Sequence, residues 1–307
     1  MIDNFKIAAV VVTYNRKELL RECLDALLAQ TMPLDSIILI DNASTDGTPD
    51  YLEGLGYLSN PIIDYIRLPE NTGGAGGFHY GVKIGYEKGF DWIWLMDDDV
   101  IVDSRALECL ISSLNILPPE VGFLFSNIFG IDGQTMNLPQ IDLRPGSNGY
   151  PQWNVYLEHG IVRIREATFG SLLIHRNIIK SVGLPIKDFF IWGDDTEYTN
   201  RISERYPGYL IGSSVAIHKR KNQKIISLEY EDDQNRINLY YYAYRNRFYI
   251  YKKHNGIMKS FIYFMKNIII LTKNLFKFKK YHYYKFKIIY LGLFSGIFFN
   301  PKIEYLK

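Results

Sequence analysis

Three consecutive carboxylates, Asp97-Asp98-Asp99, directly follow the apolar run Trp92-Ile93-Trp94-Leu95-Met96. Like charges side by side raise one another's pKa, so a buried strand that ends this way needs something positive to meet it. A divalent cation answers that need, with oxygen ligands from Asp97 or Asp99 and a bound pyrophosphate supplying others. Residues i and i+2 of an extended chain point the same way, so Asp97 and Asp99 are expected to share a ligand while Asp98 points elsewhere. A solvated acidic turn, or capping of a helix from Ser104, is the alternative. A second acidic group, Asp194-Asp195-Thr196-Glu197, stands at a predicted helix start. There the helix dipole keeps carboxylates ionised, as a general base must be, although plain helix capping competes as an explanation. His218 ends the apolar stretch 209–217. One such histidine is, on its own, usually a satisfied structural side chain.

These residues need a frame. Ile7-Ala8-Ala9-Val10-Val11-Val12 is a continuous apolar run, expected of a strand buried on both faces, and it stops at Thr13-Tyr14-Asn15. Asn15 with Glu18 three residues on gives a capping-box-like start to a helix whose stripe is Leu19, Leu20, Cys23, Leu24, Leu27 and Leu28. Further strands are predicted over 36–40, 62–68 and 92–96, with short helices between them. The glycine-dense Asn71-Thr72-Gly73-Gly74-Ala75-Gly76-Gly77 reads as a loop opening a helix to about Lys88. Ligand contact and a flexible turn are equally open for it. It follows the third strand rather than the first, which argues against dinucleotide binding. The strand–helix rhythm predicts an α/β fold with a Rossmann-like, mostly parallel sheet flanked by helices. Ligands in such sheets sit beyond the carboxyl ends of the strands, where Thr13, Asp41 and Asp97 to Asp99 all fall. Residues 130–165 carry several prolines and glycines with little periodicity and read as a long excursion over an acceptor.

The chain's 307 residues carry a formal charge of +2 that conceals a split. From Arg245 onward 12 Lys and 2 Arg face one acid, Glu304, whereas the preceding residues are strongly acidic. That basic segment also holds 17 aromatic residues. Over 257–276, Phe261, Phe264, Met265, Ile268, Ile269 and Leu275 fall mostly at helical spacing, with Lys259, Lys266 and Lys273 seven residues apart. This is the composition of an interfacial helix on an anionic membrane surface; packing on the catalytic core or a homo-oligomer contact is the alternative. Nucleic acid is not expected as a partner, because no recognised motif accompanies the charge. No run approaches the roughly 18 apolar residues of a membrane span, and the first residues do not resemble a secretory signal. With Cys23 and Cys109 both read as buried thiols, the expectation is a cytoplasmic enzyme peripheral to the inner face of the cell membrane. The expected division is a catalytic domain over 1–225, with halves 1–128 and 129–225, and a helical basic region over 226–307.

In order, Val11-Val12-Thr13-Tyr14-Asn15-Arg16, Asp41-Asn42-x-Ser44-x-Asp46-Gly47, Asn71-x-Gly73-Gly74, Asp97-Asp98-Asp99, Gly170-Ser171 and Trp192-Gly193-Asp194-Asp195-Thr196-Glu197-Tyr198 resemble the motifs of family-2 glycosyltransferases with the GT-A fold. They look most like the galactofuranosyltransferase and rhamnosyltransferase branch, over residues 5–220. The resemblance implies inverting transfer from a nucleotide-diphosphate sugar to a hydroxyl, here of a lipid-linked glycan in surface polysaccharide synthesis. Thr13, Tyr14, Asn15, Arg16, Asp41, Asn71, Gly73, Gly74, Asp97 and Asp98 inherit donor binding. Asp97, Asp99 and His218 inherit the metal (Mn2+ or Mg2+), Asp195 the role of base with Asp194 beside it, and Trp192, Gly170, Ser171 and Glu197 the acceptor side. UDP-galactofuranose is the favoured donor and dTDP-rhamnose the alternative. A non-catalytic sugar-nucleotide-binding module is the competing class. A nucleotidyltransferase fits less well, lacking a basic glycine-rich loop after the first strand.

Overall fold

The computed structural model describes residues 5–220, 228–274 and 281–307. The chain begins as the rhythm requires: β1 (Ile7–Thr13), α1 (Lys17–Leu28), β2 (Ser36–Asp41), α2 (Thr48–Gly54), β3 (Ile63–Arg67), α3 (Gly73–Glu87) and β4 (Trp92–Asp97). All seven residues of β1 are buried, because helices cover both faces of the sheet. β1 runs parallel to both β2 and β4, with Thr13 opposite Asp41 and Val12 opposite Asp97. That register brings the polar ends of three strands to one edge, where an α/β sheet leaves a crevice.

β5 (Val100–Val102), α4 (Ala106–Ser113), β6 (Phe123–Gly130), β7 (Gln140–Ile141), β8 (Ile161–Glu166), β9 (Leu172–His175), α5 (Arg176–Val182), α6 (Asp194–Ser203) and β10 (Gly208–His218) follow. The strand order is β3-β2-β1-β4-β9-β6-β10-β8-β7, with β5 on β10. β9 is antiparallel to both β4 and β6, so the sheet is mixed rather than mostly parallel. The reason is local: β6 to β9 follow one another without the crossover helices that parallel neighbours need.

Four further expectations change. Asn15 does not cap α1: it adopts φ 55°, and its side-chain oxygen accepts from the Thr45 amide at 2.7 Å. The glycine-dense segment is helix from Gly73, not loop. Its glycines serve close packing, since a Cβ on Gly77 or Gly81 would lie 2.4 or 2.3 Å from a methyl of Val12 or Val10 on β1. Cys23 is buried, but Cys109 is only partly so. The excursion over 130–165 contains β7, β8 and isolated bridges at Phe129–Thr135 and Pro145–Pro151.

The chain forms two compact units. The first comprises Met1–Lys187, Asp195–Gln223 and Ile303–Lys307, and holds the whole sheet. Its terminal strap is tied in through Glu304, which pairs with Lys83 at 2.7 Å and His79 at 3.2 Å and accepts the Leu184 amide at 2.8 Å. The second comprises Asp188–Asp194 and Lys224–Lys302. It is built on α7 (Gln234–Asn274) and α8 (His282–Phe298) around a separate core that includes Ile237, Tyr240, Phe248, Ile289 and Leu293. α7 is broken at Gly256, whose φ of 74° is a left-handed value that glycine adopts without strain. The boundary expected near residue 225 lies outside the described residues, as do Leu275 and Phe276.

Candidate active site

The Asp triplet does not continue the strand. Asp97 ends β4, and Asp98-Asp99 make a tight turn into β5, so the alternation that would aim Asp98 away from Asp99 is lost. The Arg16 guanidinium reaches both, at 3.2 Å from Asp98 and 2.8 Å from Asp99. Asp98 also accepts from the Thr13 hydroxyl at 2.6 Å. Thr13 is itself buried, so its hydroxyl orients the turn and is not available to a ligand.

β10 delivers the histidine. It pairs antiparallel with β5, placing His218 opposite Val100, and the Lys219 amide donates to the Asp99 carbonyl at 2.7 Å. His218 Nε2 thereby lies 3.0 Å from Asp99 Oδ1. On the other side of the ring, Nδ1 is 2.7 Å from the Asn137 side-chain oxygen. An amide oxygen only accepts, so Nδ1 carries the proton and Nε2 is the nitrogen left for a cation or for Asp99. Asp99 Oδ1 is buried and, despite its distance to Nε2, has no donor hydrogen aligned on it.

The electrostatics follow from burial. Burial first, and the neighbouring Asp99 second, push the Asp97 carboxyl up to about 8. Burial raises Asp98 to about 6 against the opposing charge of Arg16. Burial would raise Asp99 too, but His218 and Arg16 outweigh it and hold Asp99 below the usual carboxylate range. His218 is held above its ordinary value, Asp99 and Asp97 outweighing the cost of burial. A buried, under-compensated carboxylate beside an oxygen without an aligned donor is a place where added positive charge is favourable. Among the described residues, however, no group of three or more His, Cys, Asp and Glu side chains is arranged to hold a metal ion.

The remaining donor-side residues line the same strand edge. Asp41 is fully buried and accepts from the Ser44 amide at 2.8 Å and the Tyr65 hydroxyl at 2.5 Å. Tyr14 is exposed, and Asn15 receives the Thr45 amide. Asn71 accepts the Gly73 amide at 2.9 Å and so starts α3, with Gly74 half-buried beside it. Asn42, one residue past Asp41, fastens this corner: its amide donates to the Gly73 carbonyl at 2.8 Å and its oxygen accepts from Thr72. The motif spelling contained Asn42, but its burial could not be read from the sequence.

On the acceptor side two expectations fail. Ser171 is fully buried in a directional chain, Trp94 indole to Ser171, Ser126, Ser214 and the Ala106 carbonyl, with links of 2.9, 2.7, 2.7 and 3.0 Å. Its hydroxyl is committed to the core. Glu197 is fully buried in an ion pair with Arg201 at 2.9 Å, which also donates to the Val182 and Leu184 carbonyls. Both are fully buried and committed to internal partners, Ser171 just ahead of β9 and Glu197 within α6. Gly170 is buried beside Thr168 and Asn137.

Asp195 opens the portion of α6 that belongs to the first unit, half-buried and accepting the Thr196 amide at 2.6 Å. Its charge adds to burial in raising Glu166. A run of hydrogen bonds connects it towards His218. Thr199 donates to the Asp195 carbonyl at 2.8 Å and accepts from the Ala167 amide at 3.1 Å. The next residue, Thr168, accepts from Asn137 at 2.9 Å, and Asn137 holds His218.

In the second unit, Asp194 is buried, and Trp192 lies with its ring centroid 4.9 Å from that of Tyr240. The turn before Asp194 is unusual, with Phe190, Trp192 and Gly193 at φ 64°, 61° and 93°. Bulky residues adopt such values only when over-determined by their surroundings. Here the fully buried Asn246 amide donates to the carbonyls of Phe189, Ile191 and Trp192 at 2.9, 3.0 and 2.8 Å, and Arg245 donates to those of Asp188 and Phe189. Sequence reasoning passed over Asn246, which stands in a helix some 50 residues away with no motif around it.

The model for Glycosyl transferase family 2 matches residues 8–161, half of the chain. The galactofuranosyltransferase GlfT1 of Mycolicibacterium smegmatis is 28% identical over 266 residues, covering 80% of this chain and 82% of its own. GlfT1 of Mycobacterium tuberculosis is 29% identical over 257 residues, covering 80% and 81%. Among solved structures, GalNAc-T7 with UDP, GalNAc and Mn2+ superposes with a TM-score of 0.57 at 17% identity, and S. aureus TarS with 0.54 at 14%. They cover 80% and 96% of this chain but only 50% and 44% of their own, so the chain spans about half their length. These likenesses establish the fold, a mixed sheet flanked by helices with a helical C-terminal region. The family model, which spans half of the chain, shows that the chain belongs to glycosyl transferase family 2.

Proposed function

We propose that the chain is an inverting galactofuranosyltransferase that uses UDP-galactofuranose and a hydroxyl of a lipid-linked glycan, at the cytoplasmic face of the cell membrane. The observation that carries this reading is the Asp97–Asp99 turn, buried at Asp98 and Asp99 and met by Arg16 and His218 at the carboxyl edge of the parallel strands. The named relatives support the choice of sugar. GalNAc-T7, crystallised with UDP and Mn2+, supports a uridine nucleotide and a divalent metal.

In this reading the first unit does the chemistry. Asp195 takes the proton of the acceptor hydroxyl as its oxygen attacks the anomeric carbon; the bond to the diphosphate breaks on the opposite face and the configuration inverts. Asp194 directly precedes the base in the chain, at the end of the turn held by Asn246. Asp97, Asp99 and His218 Nε2 would hold Mn2+ or Mg2+, with the diphosphate oxygens completing its shell. Two observations support this ligand set: Asp99 Oδ1 lacks an aligned donor, and Asn137 fixes the His218 tautomer that leaves Nε2 available. The three side chains would have to draw together on the ion, since they are not arranged as a metal site without it. When bound, the metal neutralises the departing diphosphate. Arg16, half exposed, can turn from the Asp turn to the diphosphate, while Tyr14, Asn15, Asn71 and Gly74 border the nucleotide and the buried Asp41 and Gly73 hold that edge in shape. We assign the C-terminal helical region to an anionic membrane surface, where a lipid-linked acceptor resides.

Incubating the purified chain with UDP-galactofuranose and with dTDP-rhamnose tests the donor directly. Hydrolysis or transfer of the first is expected; exclusive turnover of the second overturns the assignment, and turnover of neither favours a binding module.

A further inference from the structure

The two long helices of the second unit each carry two apolar stripes, and only one stripe of each is used by the unit's own core. Beyond Gly256, Tyr263, Phe264 and Ile268 of α7 pack into that core. Met258, Phe261, Ile262, Met265 and Ile269 lie on the other side, with relative exposures of 80, 65, 65, 41 and 51%. Their spacing of three, one, three and four residues is that of a single helical face. α8 repeats the arrangement. Ile288, Ile289 and Leu293 are buried, whereas Tyr283, Tyr290, Leu291, Phe294, Ile297 and Phe298 are exposed, Phe298 at 72%.

The structure revises which residues would meet a membrane. Phe264 and Ile268, expected there from periodicity alone, belong to the core, while Met258, Ile262 and the α8 stripe are added. Exposed Lys259 and Lys266 accompany the first stripe and Lys287 the second. Carboxylates are scarce: Glu304 is the one acid from Arg245 to the C-terminus, and it pairs with Lys83 and His79 in the first unit. Among the described residues no helix is long and apolar enough to cross a membrane.

We propose that the outward stripes of α7 beyond Gly256 and of α8 form a docking surface for an anionic phospholipid bilayer. Their aromatic and aliphatic side chains enter the acyl boundary and their lysines meet the headgroup charges. Charge complementarity selects the bilayer over a second copy of the chain: a face flanked by lysines and poor in acids repels its own kind but attracts anionic lipid. The inference deepens the membrane part of the proposed function and rests on it.

The full chain is sedimented with vesicles of phosphatidylcholine alone and of phosphatidylcholine with phosphatidylglycerol. Binding is expected to the mixed vesicles and to weaken by about tenfold or more in Phe261→Ser/Ile262→Ser/Phe294→Ser, with the melting temperature unchanged because these side chains make no core contacts. Lys259→Gln/Lys266→Gln/Lys287→Gln is expected to abolish the preference for phosphatidylglycerol. In separate single variants, Phe261→Trp and Phe294→Trp should shift their fluorescence to the blue on adding mixed vesicles. Wild-type strength in the triple serine variant, no fluorescence shift at either position, or a dimer dissolved by that variant without vesicle binding each overturns the proposal. Donor hydrolysis in detergent-free solution is measured alongside: if it persists while vesicle binding is absent, the docking surface is wrong and the enzyme assignment stands.

Discussion

Asn246 and Asp97 are the two side chains whose environments make the sharpest demands. Asn246 satisfies three carbonyls of a turn that holds two bulky residues at left-handed φ just before Asp194. Removing the amide takes this donor from the Ile191 and Trp192 carbonyls, leaves Phe189 to Arg245 and the Ile191 amide, and loosens the turn. Asn246→Ala should therefore lower kcat by about tenfold or more while the donor KM changes little, since one lost ångström of alignment is costly to the chemical step. A parallel rise in donor KM would place the effect in the nucleotide site instead. Asp97 and Asp98 bind their protons more tightly in the fold than in the unfolded chain, where carboxyls titrate near ~3.9. Their contribution to stability is thus complete at low pH and is lost as pH rises through about 6 for Asp98 and about 8 for Asp97. Melting temperatures of the ligand-free chain should fall between about pH 5 and about pH 8, and Asp97→Asn should flatten that fall. A wild-type profile in the variant contradicts the burial of a destabilising charge at Asp97.

The elements explain why the sequence disclosed some of this and concealed the rest. Continuous apolar strands ending in polar residues are a local signal, so β1, β2 and β4 and their alignment could be anticipated. Asp98's orientation could not, because it depends on a two-residue turn into β5, a strand of three residues with no periodicity of its own. Ser171 and Glu197 sit in matching motifs yet face inward, and only the pairing of their elements reveals it. The glycines after Asn71 mark close packing of α3 on β1, which composition alone does not distinguish from a phosphate-binding loop. Gly81→Ala tests that packing: its Cβ would lie 2.3 Å from Val10 Cγ1 and 3.3 Å from Ile40 Cγ1. Overpacking of this kind costs about 1–3 kcal/mol, readable as a lowered denaturation midpoint. A midpoint equal to the wild type's would mean that the overlap costs no more than the roughly 1 kcal/mol alanine gains over glycine inside a helix.

At the scale of the whole molecule, the charge split assigns different tasks to different parts of the chain. The acidic portion carries the buried Asp turn, and the basic portion carries the outward helix stripes. Transfer to an acceptor embedded in anionic vesicles should weaken as ionic strength rises, whereas transfer to a water-soluble acceptor should hold nearly constant. Equal salt sensitivity with both acceptors would put the effect at the active site. In the proposed reaction Asp195, far in sequence from Asp97 and Asp99, supplies the base for a donor those residues help to hold. Asp195→Asn, assayed for UDP-galactofuranose transfer and for UDP binding on the same preparation, addresses it most directly. Transfer is expected to fall by about a hundredfold or more with UDP affinity unchanged. Transfer at the wild-type rate would contradict it.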